Sequence, residues 1–140
     1  MTQQPVVADV ALDVTLECPD DSGQEYHLDS VLAYHRHDPF AVAMTFLTSE
    51  DSLTWTFGRD LLIQGLREPA GDGDVCVAPA ICRDGRAVVL ITLSSPDGHL
   101  MLQARADKIA QFVKRSLAVV PIGSEVEHLD IDALVVQLLA

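Results

Sequence analysis

The sequence predicts an α+β fold: a largely antiparallel, strand-rich body with one short inserted helix and two C-terminal helices. Three observations carry that prediction. Apolar residues alternate with period two in several runs between Val6 and Gln103, and clusters of Gly, Pro, Asp and Ser separate those runs. Beyond Ile109 the apolar spacing changes to that of a helix.

The first strand shows in Val6, Ala8, Val10, Leu12, Val14, Leu16 and Cys18, with Asp9, Asp13, Thr15 and Glu17 between them. One face meets the core and the other meets water, and the length predicts a bend or bulge. Pro19-Asp20-Asp21-Ser22-Gly23 breaks the run, and a second strand is expected over Tyr26–Arg36. Pro39 lacks an amide donor and restricts Asp38, so the chain turns there. Phe40–Leu47 is apolar on both faces, as in a strand covered on both sides. Thr48–Ser52 reads as a hairpin loop, Leu53–Phe57 as the returning strand, and Gly58 as its end.

Arg59–Arg67 changes period. Leu61, Leu62, Ile63 and Leu66 crowd one side of a short helix, and Asp60 is placed to cap it or to sit in its first turn. Pro69–Gly73 stops it, and Val75–Ala80 is extended again. Arg83-Asp84-Gly85-Arg86 carries the Asp-Gly pair of tight hairpins, leading into the strongly β-prone Ala87–Leu93. Ser95-Pro96-Asp97-Gly98 is a β-turn, because Pro96 presets φ and Gly98 closes it; His99–Gln103 then pairs back.

Ile109, Phe112, Val113, Leu117 and Val120 define the core face of a long helix, with Lys108, Lys114 and Arg115 in water. Pro121 and Gly123 end it. The closing helix starts either from a Ser124–Glu127 capping box or from Asp130, and Ile131, Leu134, Val135 and Leu138 line one of its faces.

The 140 residues fit a single domain, residues 1–140, and 49% of them are apolar. Mass scaling for 15.2 kDa gives a folded surface of about 7,100 Å² against about 22,000 Å² unfolded, enough burial for a core without staples. Cys18, Cys76 and Cys82 are an odd number without close spacing, as expected of reduced thiols. No signal-peptide pattern or membrane span is legible, so the expected compartment is cytoplasmic. A net charge of −12, from 21 acidic and 9 basic side chains, opposes binding to nucleic acid or to anionic membranes.

Catalytic patterns are missing. His35 and His37 would share a strand face beside Asp38, but a catalytic metal wants three protein ligands and nothing completes the set. Cys76 and Cys82 have the wrong spacing for structural zinc, no serine lies in a Gly-x-Ser-x-Gly elbow, and Gly71-Asp72-Gly73 is too acidic for a phosphate cradle. Neither enzymatic activity nor a cofactor or metal is expected. Arg59 and Asp60 remain, two charges where the aromatic strand Trp55-Thr56-Phe57 becomes a leucine-rich helix. They are read either as a helix cap and strand cover or as a rigid corner shown to a partner.

One family shares this order of motifs. Asp38-Pro39-Phe40-Ala41-Val42, Thr45-Phe46 and Trp55-Thr56-Phe57-Gly58-Arg59-Asp60-Leu61-Leu62 are followed by Gly65-Leu66, Gly73-Asp74-Val75 and Leu93-Ser94-Ser95-Pro96-Asp97-Gly98. Phe112, Lys114-Arg115 and Val120-Pro121 extend the series, which resembles the SsgA-like proteins, actinobacterial regulators of sporulation-specific cell division. The resemblance implies a whirly-like fold of packed antiparallel sheets, a homotrimer and no reaction. It also implies a role at division septum sites, recruiting the tubulin-like protein FtsZ, with a paralogous SsgA-like protein as a second partner. Asp38, Pro39, Phe40, Phe46, Trp55, Phe57, Gly58, Leu61, Leu62, Gly65, Pro96 and Gly98 then count as structural family positions, and Arg59 and Asp60 as the candidate interface. The rival expectation is single-stranded nucleic-acid binding, known among related folds, which needs cationic grooves and stacking aromatics.

Overall fold

A computed structural model of the chain describes residues 7–19, 22, 24–48, 52–129 and 131–139. The expected strand start at Val6, most of the first turn, the centre of the Thr48–Ser52 loop and Asp130 lie outside them. Seven strands form one antiparallel sheet in the order β4-β3-β2-β1-β7-β6-β5. They are β1 (Val10–Pro19), β2 (Glu25–Tyr34), β3 (Ala41–Leu47), β4 (Ser52–Gly58), β5 (Val75–Ile81), β6 (Ala87–Ser95) and β7 (Gly98–Arg105). Helices α1 (Arg59–Gly65), α2 (Ala106–Val119) and α3 (Ile131–Leu139) complete the fold, with a 3₁₀ turn at Glu125–His128.

Each meander follows from its turns. β1 and β2 pair in full register from Val10↔Tyr34 to Pro19↔Glu25. Gly85, at φ +79°, takes the left-handed position of the Asp-Gly turn between β5 and β6. Pro96 and Asp97 form the two-residue link that sets Ser95 opposite Gly98. The two meanders meet where Glu17 of β1 pairs with Gln103 of β7. Chain from β2, β3 and β4 shares a groove with β6 and β7, so the sheet is strongly curled.

Alternation decides the core. Val10, Val14, Leu16, Leu32, Val42, Met44 and Phe46 point inward, to meet Val77, Val89, Ile91 and Leu102 from the second meander. Helix α2 lies across β1, β6 and β7 and fills the curl with Ile109, Phe112 and Val113. Helix α1 packs on β5, where Gly65 is buried so tightly that a Cβ would overlap the Val77 side chain.

Several expectations are corrected. β2 ends at Tyr34, because the backbone turns through Asp38 N–H to the His35 carbonyl at 3.0 Å. β3 starts at Ala41 and leaves Phe40 outside it, 47% exposed. Only one face of β3 is deeply buried, since Ala41, Ala43 and Thr45 on the other are half-covered. Helix α1 takes no side-chain cap: Gly58 stands at its N-cap, and exposed Asp60 sits within the first turn. No Ser124–Glu127 capping box forms either, as Ser124 begins the 3₁₀ turn without a side-chain bond. The expected packed sheets are a single curled one. Ile131, Val135 and Leu138, expected to line one face of the closing helix, are exposed on α3.

Candidate functional site

Three of the sequence-selected motifs converge on one buried arginine: the Asp38-Pro39-Phe40 turn, the Trp55–Leu62 segment that carries it and the Val120-Pro121 break. The Arg59 side chain is only 2% exposed, where an ionised group needs full compensation. Its guanidinium donates to the Val120 carbonyl at 2.8 Å and the Ser116 carbonyl at 3.3 Å, both at the C-terminal end of α2. It also donates to Glu125 Oε1 at 3.0 Å. The cation lies over the Tyr34 ring, 5.0 Å from its centroid. Carbonyls left open at a helix end suit a cation, and the planar fork serves several acceptors together.

The Asp38-Pro39-Phe40 turn is built into the same cluster. Tyr34 donates its hydroxyl to the Pro39 carbonyl at 2.9 Å, and the Arg59 amide donates to the Phe40 carbonyl at 2.7 Å. Glu125 Oε2 accepts the Gly123 amide at 2.9 Å. Glu125 is held below the ordinary carboxylate range by its own backbone amide, then by that of Gly123 and by Arg59. Burial pushes the Tyr34 phenol up. Arg59 thus ties the end of β4 to the end of α2 and to the 3₁₀ turn before α3.

Of the Arg59–Asp60 corner, only Asp60 is presented to water. Leu62 is fully buried and Leu61 partly so; Phe46 and Phe57 are core, and Trp55 packs against it half-buried. Pro96 and Gly98 lie apart, at the β6–β7 turn. The sequence reading missed Tyr34, Ser116 and Glu125. Tyr34 did alternate with Leu32, but no motif links Glu125 to a residue so far away in the chain.

Metal-ligating chemistry is sparse among the described residues. His35 and His37 follow the end of β2, so they share no strand face; Arg36 between them is paired with Asp9 at 3.0 Å. One group brings its ligand atoms within 4.8 Å of one another: Glu17, Glu25 and His27, on the outer end of β1 and β2. It is open to water, and it lacks the buried surroundings that would fix an ion. Cys18, Cys76 and Cys82 are free thiols, each half-buried. No helix among the described residues is long and apolar enough to cross a membrane.

A curled antiparallel sheet whose β4 end is tied to α2 and to the 3₁₀ turn by an internal arginine defines the class of fold. Comparison makes the class specific: a family model described as the Streptomyces sporulation and cell division protein SsgA matches residues 28–125, and the chain belongs to that family. It is 41% identical over 133 residues to the sporulation-specific cell division protein SsgB of Kineococcus radiotolerans, covering 94% of this chain and 81% of the relative. It is 46% identical over 110 residues to SsgB of Streptomyces coelicolor, covering 78% and 80%. A solved SsgB structure, from work on longitudinal cell division in sporulating Streptomyces coelicolor, superposes with a TM-score of 0.81 at 40% identity, over 86% of this chain and 94% of that one. The SsgA-like sporulation-specific cell division protein of Thermobifida fusca also gives 0.81, at 30% identity, over 91% and 93%. The family expected from the motif series is the family found.

Proposed function

We propose that this chain is a non-enzymatic recruiter that marks septum sites in the cytoplasm and docks the tubulin-like protein FtsZ during sporulation-specific division. One observation carries the reading: relatives named for sporulation-specific cell division match along nearly the whole chain. The motif residues support it, because Arg59, Tyr34 and the Asp38–Phe40 turn serve the interior. The outside is then free for contact. Asp60 is the part of the charged corner that a partner can reach, with Arg59 holding it in place from below. A homotrimer of whirly-like subunits, with a paralogous SsgA-like protein as a second partner, completes the proposal.

Co-sedimentation tests it. FtsZ polymerised with GTP should carry the chain into the pellet in proportion to polymer, and Asp60→Lys should weaken that association. A chain that stays in the supernatant at every polymer concentration removes the direct mechanism.

A further inference from the structure

The curled sheet has two edges, β5 and β4, and only β5 is closed. The Cys82 amide donates to the Arg86 carbonyl directly across the β5–β6 ladder, so by alternation the outward backbone groups of β5 are those of Val75, Val77, Pro79 and Ile81. Val77 is already bonded in both directions to Ala70, and Pro79 has no amide to offer. β4 is different. The Arg59 amide reaches the Phe40 carbonyl across the β3–β4 ladder, so Leu53, Trp55 and Phe57 bond to β3, and the amides and carbonyls of Thr54 and Thr56 point away from it. No described strand takes them up. Both threonines are exposed, and no proline or lysine guards this edge. Behind it lies an apolar groove of about 400 Å³, lined by Leu28, Phe46, Leu53, Trp55, Leu93 and Leu100. Its β4 residues, Leu53 and Trp55, alternate with the outward backbone groups.

We propose that β4 accepts an extended, cationic segment of a partner protein as a further strand, whose alternate apolar side chains seat in the groove. The backbone selects an extended occupant. Donors and acceptors at Thr54 and Thr56 match those of another strand, whereas a helix keeps its own backbone groups paired and leaves these unmet. Side chains opposite Leu53 and Trp55 then fall on the groove side, at the close spacing of non-hydrogen-bonded pairs. Charge complementarity selects a cationic one. The groove lining holds Asp97 and no lysine or arginine, and exposed Asp60 follows the end of β4. The chain as a whole carries −12, which attracts a basic segment and disfavours the same edge of a second copy. The inference rests on the reading of this chain as a docking protein, and not on the partner being FtsZ.

The test is titration of the purified full chain with the peptide acetyl-Lys-Lys-Val-Thr-Val-Thr-Val-Lys-Lys-amide. Trp55 reports it, being the only tryptophan and part of the groove lining. Its emission should shift to the blue and saturate below about 1 mM peptide. The peptide's threonines lie opposite Thr54 and Thr56 and exchange backbone bonds with them, so N-methylation of both should abolish the shift. N-methylation of the valines, whose amides face water, should leave it. Glutamate in place of every lysine should abolish it as well. Leu53→Thr, at a position 58% exposed, should raise Kd about tenfold with an unchanged circular dichroism melt.

No shift up to about 1 mM peptide overturns the proposal and leaves co-sedimentation with FtsZ to decide recruitment by itself. An N-methyl-threonine peptide that binds as well as its parent also overturns it, since the groove would then take apolar groups without gaining a strand. Equal binding of the glutamate peptide removes the charge selection, and an unaltered Kd in Leu53→Thr removes the groove; either overturns it. Emission that moves with chain concentration and ignores the peptide assigns the edge to a second copy, which overturns it too.

Discussion

At the residue scale, Arg59 is a charge held almost wholly inside, and its cost is offset only while each partner stays in place. Removing one side of a buried ionic cluster orphans the other. Arg59→Met should therefore lower unfolding free energy by about 3 kcal/mol in urea titration. Arg59→Lys should recover only part, because a point-charge ammonium cannot bridge Ser116, Val120 and Glu125 at once. A Met variant as stable as wild type would show that the cluster is held by packing alone. Acid offers a second probe. Glu125 and Asp9 both have folded values below the ordinary carboxylate range, Asp9 chiefly through the backbone amide and then the side chain of Arg36. A depressed folded value stabilises above the unfolded value, and that stabilisation disappears as pH falls through the folded one. Stability should thus be flat near neutrality and decline below about pH 4.5. Glu125→Gln should be less stable at pH 7 and show a shallower decline in acid, measured by chemical denaturation across that range.

At the element scale, the sequence carries its information unevenly. Period-two alternation placed β1, whose Val10, Val14 and Leu16 face the core, whereas β3 was read from an apolar run and β6 from its β-prone residues. Turn chemistry at Asp84-Gly85 and Pro96-Asp97 set the hairpin registers. Caps were harder to read. Asp60 had the residue type of an N-cap, yet Gly58 holds that position, because the β4 backbone leads directly into the helix. Asp60 is left with the favourable field of the helix start, worth about 0.3–1 kcal/mol at an exposed site. Asp60→Ala should accordingly shift the thermal midpoint only slightly, and a loss above that range would mean that Asp60 makes a bond of its own. Spacing put Ile131, Leu134, Val135 and Leu138 on one face of α3, and spacing alone cannot say what that face meets. The arginine cluster was half legible. Its motifs were visible, but the Arg59–Glu125 contact joins residues 66 positions apart, and only the curl of the sheet brings them together.

At the scale of the whole molecule, charge and aromatic placement decide between protein and nucleic-acid partners. Binding a single strand requires a cationic track and aromatic faces on which bases stack. Phe46, Phe57 and Phe112 are in the core, and the exposed aromatics Tyr26 and Phe40 lie at opposite ends of β2. Arginines 83, 86 and 105 do line one cleft, but Glu17, Glu25 and Asp84 line it with them, and Arg86 is 3.2 Å from Asp84. Counterion release, the main source of such affinity, needs phosphates to be neutralised by a positive surface. A chain with 21 acidic and 9 basic side chains repels them instead. Fluorescence anisotropy with a labelled oligothymidine should therefore show no binding at micromolar protein, even at low salt, where electrostatic attraction is greatest. Binding that weakens steeply as salt rises would mean that the arginine cleft overrides the global charge, and the recruiter reading would give way to a nucleic-acid one.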